Sequence, residues 1–182
     1  MIKKTNWTER EFEFNFPTGI FPCIIERLRG TPARLEDIIN KLPIDLLTMR
    51  VNNSWSIQEN VGHLFDLETL GESRLADFLS HSEVLTPADM QNRKTNEANH
   101  NSNSMQNLLR QFRRSRQGLV DKLERLDEGE VARFSLHPRL DKPMRIVDWT
   151  YFMAEHDDHH IARISELAKI LQNRSELHIT KR

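Results

Sequence analysis

The stretch from Arg145 to Leu171, RIVDWTYFMAEHDDHHIARISELAKIL, constrains this chain more than any other. In steps of three and four it gives Ile146, Trp149, Met153, His156, His160, Ile164, Leu167 and Leu171. Apolar residues at that spacing form one stripe of an α-helix, which must be covered by other elements. Two histidines stand in the middle of the stripe. Residues four apart lie one turn above each other, so His156 and His160 aim two imidazoles at one point inside the fold. Neutral imidazole is a ligand for zinc, nickel and iron; a hydrogen-bonded pair of core histidines is the plainer alternative.

Three further stretches carry helical periodicity. The first begins near Pro17–Pro22 and runs through Ile24, Ile25 and Leu28. Gly30-Thr31-Pro32 then combines a helix stop with a helix start and predicts a break or kink before Leu35, Ile38, Ile39 and Leu42. Ser56-Ile57-Gln58-Glu59 has the form of a capping box. It opens a long helix to about Ser80, with Ile57, Val61, Leu64, Leu67, Leu75, Phe78 and Leu79 on its apolar arc, His63 on the flank and Glu68 within the arc. A third helix begins near Ser102 or Ser104 and ends near Asp127; Arg116 falls in its stripe. Glu68 and Arg116 are expected to pair, since either charge alone is costly to bury.

The remaining segments are polar. Residues 84–103, rich in Asn, Ser, Thr and Glu, predict a long surface loop in which His100 is solvated. Residues 128–144 predict a connector broken by Pro138 and Pro143. Residues 1–16 form an N-terminal arm whose Phe12, Phe14 and Phe16 pack on the body, residues 17–172 the body itself, and residues 173–182 a polar tail. Four long helical stretches and no convincing strand give an all-α four-helix bundle.

Composition excludes some functions. The chain has 182 residues and a net charge of -1, so it lacks the basic field that nucleic acid or an anionic membrane needs. No run approaches the ~18 apolar residues of a membrane-spanning helix. The single cysteine, Cys23, has no internal disulfide partner, and the N-terminus shows no apolar secretory region; a cytoplasmic location is expected. Within FPCII, Cys23 reads as a buried, inert thiol.

The pair on the last helix needs a third ligand. Of the eight histidines, beyond that pair, His63 alone is both well inside a long helix and on its apolar side. His159 lies about 100° round the helix from His160 and reads as a flank residue.

Two segments carry a family resemblance. WSIQENVGHLFDLE (Trp55 to Glu68) resembles the Trp-Ser/Thr-x-x-Glu-x-x-x-His-Leu segment of the DinB/YfiT-like superfamily, and EHDDHHIARI (Glu155 to Ile164) resembles its His-x-x-x-His helix. The Gly-Thr-Pro break and the Leu-Pro connector also fit, and the resemblance covers about residues 17–172. It implies a DinB-like up-down-down-up four-helix bundle and a homodimer. It also implies a divalent metal on three histidines, nickel or zinc being usual and iron or manganese further options. Carried over position by position, the ligands are His63, His156 and His160. The long loop 84–103 and the Phe-rich arm depart from the family pattern, which leaves the substrate open.

Three protein ligands leave coordination positions open. These can ionise a water for hydrolysis or hold a thiol as its thiolate. Relatives in the family include bacillithiol and mycothiol S-transferases and metal-dependent hydrolases. The resemblance therefore implies an enzyme acting on a small molecule. The first reading is transfer of a low-molecular-weight thiol in detoxification. The second is a metal-dependent hydrolase, and the third a non-catalytic, stress-associated metal-binding protein. A bacillithiol-type cosubstrate carries a carboxylate and hydroxyls; Arg116, Arg74 and Asn60 are candidates to bind it. No side chain is assigned as the catalytic group. Glu155, Asp66 and Glu59 are read as facing outward.

Overall fold

The computed structural model describes residues 4–179, with side chains through residue 174. The expected arm and tail therefore fall partly outside the described residues, at 1–3 and 180–182. Among the described residues seven α-helices follow in order: α1 (Phe21–Ile39), α2 (Ile57–Asp66), α3 (Glu68–Leu79), α4 (Arg93–Glu97), α5 (Met105–Leu123), α6 (Glu128–Val131) and α7 (Ile146–Ile179). An antiparallel hairpin of β1 (Phe134–His137) and β2 (Lys142–Arg145) precedes α7.

The apolar stripes meet in two clusters, and their membership gives the helix directions. One cluster joins Phe21, Ile24 and Leu28 of α1 to Leu75 and Phe78 of α3, Leu119 and Leu123 of α5, and Ile146 and Trp149 of α7. The other joins Leu35 and Ile39 to Ile57, Val61 and Leu64, to Leu108 and Phe112, and to Ile164 and Leu167. Thus α1 and α7 run one way, while α2–α3 and α5 run the other. The fold is an up-down-down-up four-helix bundle. Because α3 and α5 are parallel, the chain must return the length of the bundle between them, and residues 80–104 make that return.

Between the clusters lies a buried polar layer. Arg116 donates through Nε and Nη2 to Glu68 (3.1 and 2.7 Å), and through Nη1 and Nη2 to Asp157. A further Nη1 donor reaches Leu28 O at 3.2 Å. The expected Glu68–Arg116 pair is present, and Asp157 makes it a triad.

The triad explains a correction to the first helix. No break occurs at Gly30-Thr31-Pro32, and α1 passes through Pro32. Proline removes the N–H that would bond the carbonyl four residues back. That carbonyl is Leu28 O, which Arg116 serves. The second helix divides at Leu67 into α2 and α3, although Leu67 N–H still bonds His63 O and Gly71 N–H still bonds Leu67 O. The capping box at Ser56 and Glu59 forms as expected.

Three more expectations need correcting. The connector 128–144 contains the hairpin. Leu136 stands opposite Pro143, but its backbone groups bond Glu83 O and Leu85 N–H instead, so the proline leaves no ladder bond unmade. Cys23 is exposed: the inward face of α1 takes Phe21, Ile24 and Ile25, and 100° per residue carries position 23 outward. Finally, α7 continues past Leu171 and through Asn173 to Ile179. No helix among the described residues is long and apolar enough to cross a membrane.

Candidate metal centre

His63 of α2 meets His156 and His160 of α7 at the level of the polar layer. One ring nitrogen from each lies within 4.8 Å of the other two. Ring centroids are 4.7 Å apart for His63 and His160, 4.6 Å for His156 and His160, and 5.4 Å for His63 and His156. His159 stands outside this group, with its ring against Trp7 at 5.8 Å.

Hydrogen bonds fix which nitrogen two of the rings present. The Thr95 hydroxyl donates to Asp66 Oδ2 at 2.9 Å, and Thr95 Oγ1 is 3.1 Å from His63 Nδ1. The hydroxyl has one proton and gives it to the carboxylate, so His63 Nδ1–H is the donor to Thr95. His160 Nδ1 is 3.0 Å from Asn60 Oδ1, while the Asn60 amide donates to Ser56 O at 2.7 Å. Asn60 Oδ1 therefore accepts, and His160 Nδ1 carries the proton. Both rings are left with the Nε2 lone pair free. Partners of this kind fix tautomer and orientation in metal-ligating histidines.

Burial keeps the lone pairs unprotonated. It holds the His63 imidazole down at about 4, despite the opposing charge of Asp66. Burial, reinforced by the neighbouring histidines, holds His156 and His160 well below the usual histidine range. Three neutral imidazoles with two tautomers pinned suit a borderline divalent ion such as zinc or nickel.

The supporting segment was not legible as such. His100, expected to be solvated, is buried and donates from Nε2 to Asp66 Oδ2 at 2.8 Å. Asp66 and Glu59, expected to face outward, are also buried; Glu59 accepts from Arg50 and from the Ser56 N–H. The return segment seats α4 and His100 on α2 because position 62 is glycine. A Cβ there would lie 2.3 Å from the His100 ring. Glycine in mid-helix normally costs stability, so Gly62 is the one signal in the sequence of a close approach to this face. Glu155 does turn away, to Arg10 and Arg27.

The three rings open on a cavity of about 300 Å³, the lower end of the range for small-molecule sites. Trp7, Trp55 and Phe152 contribute aromatic walls. Trp7, carried in by the N-terminal arm, meets the His156 ring edge-on at 4.9 Å. Phe12 is buried, with Phe14 and Phe16 packed partly against the same cluster, as expected for the arm. Of the candidates for a cosubstrate, Asn60 is engaged by His160. Arg116 has all five N–H donors in the triad and at Leu28 O. Arg74 lines the cavity.

Residues 27–164 match the DinB superfamily. The chain belongs to the DinB superfamily. Among solved structures, this DinB fold is similar to YfiT from Bacillus subtilis, described as "a probable metal-dependent hydrolase with an unusual four-helix bundle topology". The TM-score is 0.78 at 18% identity, over 90% of this chain and 94% of that one. No curated protein matches this DinB chain.

Proposed function

We propose that the protein is a metal-dependent enzyme that holds one divalent ion, nickel or zinc, on His63, His156 and His160. In this reading it transfers a low-molecular-weight thiol of the bacillithiol type to a small electrophile. The observation that carries the metal is the convergence of three neutral imidazoles, two of them pinned by Thr95 and Asn60, on one cavity wall. When bound, such an ion lowers the pKa of a thiol or a water at its open position.

The choice of nucleophile follows from the carboxylates. Glu68 and Asp157 line the cavity but are bonded to Arg116. Asp89 lines it too and pairs with Arg93. The carboxylates among the described lining residues are thus engaged and poorly placed to take a proton from water. A thiol needs less help, because its own acidity is far closer to neutral. His159 is half-buried, and burial, with Lys4 and Arg10 adding to it, holds its ring at about 4. The aromatic walls exclude water from an electrophile. A homodimer and a cytoplasmic setting belong to the same reading.

Hydrolysis is the second reading, favoured by the description of YfiT. Metal analysis tests the shared premise: the purified protein should carry about one ion per chain, and His160→Ala should lose it. Equal content in the two proteins overturns the site. Consumption of an activated aryl halide only with thiol and metal together supports transfer. Turnover of a p-nitrophenyl ester by the metal-loaded protein without thiol supports hydrolysis instead.

A further inference from the structure

At the end of the cavity away from His160, three side chains present hydrogen-bond donors: Arg74, the remaining candidate for a cosubstrate, and His137 and Arg139, which the proposed reaction does not use. His137 is buried, and its Nδ1 accepts from Leu140 N–H at 3.2 Å. The proton is therefore on Nε2, and that N–H is buried without a partner. Arg139 has a buried Nη2 that is likewise without a partner. Arg74 is buried, with Nε donating to Thr86 O at 2.9 Å. All three line the same cavity as the histidine cluster. Phe152 joins the two ends: its ring is 5.3 Å from the His137 ring and 5.7 Å from Arg139 Cζ, and it precedes His156 by one turn of α7.

We propose that Arg74, His137 and Arg139 form an oxyanion subsite, so that the substrate carries a carboxylate or phosphate at one end and its reacting group towards the three histidines. The chemistry is one-sided. A guanidinium has donors and no acceptor, and this tautomer of His137 offers its donor alone to the cavity. Unpaired buried donors are costly, and guanidinium groups bind carboxylate and phosphate through paired N–H bonds. The electrostatics agree. Burial pulls Arg74 down to about 10 with Arg139 adding to it, and it lowers Arg139 as well. Burial, then Arg74 and Arg139, hold His137 at about 4. Both guanidiniums stay charged at neutral pH, and an anion relieves their repulsion. The charge that offsets this on Arg74 is Asp77, which accepts Thr86 N–H at 2.6 Å; the lining carboxylates Glu68 and Asp157 are held by Arg116.

The subsite deepens the reading of the pocket as a reaction site and rests on it for its purpose, whereas anion binding itself needs no metal. The test is therefore made on metal-stripped protein, by tryptophan fluorescence, with phenylacetate, phenyl phosphate and the neutral phenylacetamide. One or both anions should bind at least tenfold more tightly than the amide, and the tighter anion tells carboxylate from phosphate. Arg139→Gln should weaken the anion at least tenfold. His137→Gln gives an independent reading should Arg139→Gln fail to fold. Equal affinity for anion and amide, or unchanged anion affinity in a folded Arg139→Gln or His137→Gln protein, overturns the subsite. Arg139-dependent binding in a protein that takes up no metal leaves the subsite standing and removes the metal site.

Discussion

Thr95 acts on the centre without reaching it. Its hydroxyl links Asp66 to His63 Nδ1, and without it the ring is free to turn. Thr95→Val keeps the shape and removes the link, so metal affinity should fall by roughly 10–100-fold, as measured by competition with a chelator. An unchanged affinity would show that packing alone orients His63. The histidine cluster itself was legible: His156 and His160 from helical period, His63 from its place on an apolar flank and from the family motif. Their supports were not, because Thr95 and His100 sit in a polar segment without period. What buries them is contact with Asp66 and Gly62, 29 to 38 positions earlier in the sequence, which no local pattern encodes. His137 and Arg139 were hidden for the same reason, in a segment whose prolines masked a short hairpin.

At the scale of the element, Gly62 and Pro32 break helix rules that the bundle overrides. Alanine at position 62 gains about 1 kcal/mol of helix propensity. Its Cβ, however, meets the His100 ring at 2.3 Å. Gly62→Ala should therefore lower the melting temperature and speed proteolytic nicking of residues 84–103. A rise in melting temperature with unchanged nicking would show that His100 can step aside freely. Pro32 misled the reading of α1 because its cost depends on whether Leu28 O finds another donor. Arg116, on a different helix, supplies one. The four long helical stretches, the capping box and the stripes were readable because they are local; the short helices α4 and α6, the division at Leu67 and the run of α7 to Ile179 had no such marker.

For the whole molecule, the polar layer couples stability to charge. Arg116→Met leaves Glu68 and Asp157 buried without a counter-charge and Leu28 O without a donor. The expected loss is about 3–5 kcal/mol in chemical denaturation. A loss below about 1 kcal/mol would mean that water enters the layer. Acid should also unfold the metal-free protein early. His63 and His137 titrate at about 4 when folded, against about 6.5 when unfolded. Between those values the unfolded chain binds more protons, so stability falls as pH drops from about 6.5 towards 4. Each such imidazole contributes on the order of 1–2 kcal/mol by pH 5. Glu68, whose carboxyl is pushed up chiefly by burial, works in the opposite sense but is one group against the five histidines His63, His137, His156, His159 and His160. Melting temperatures from pH 7.5 to 5 check the sign; a flat profile would mean that the histidines are solvated.

The return segment between α3 and α5 links topology to assembly. It brings Thr95 to steady a ring that precedes it, while the other two rings arrive with the last helix to be synthesised. A nascent chain therefore exposes His63 long before its companions exist, with nothing yet to hold its tautomer. If the three rings hold an ion as proposed, its tight capture waits for the crossover to dock and for α7 to close the bundle. Until then a single loose imidazole is on offer, and the order of synthesis makes the three-ring set the last part of the cavity to be assembled.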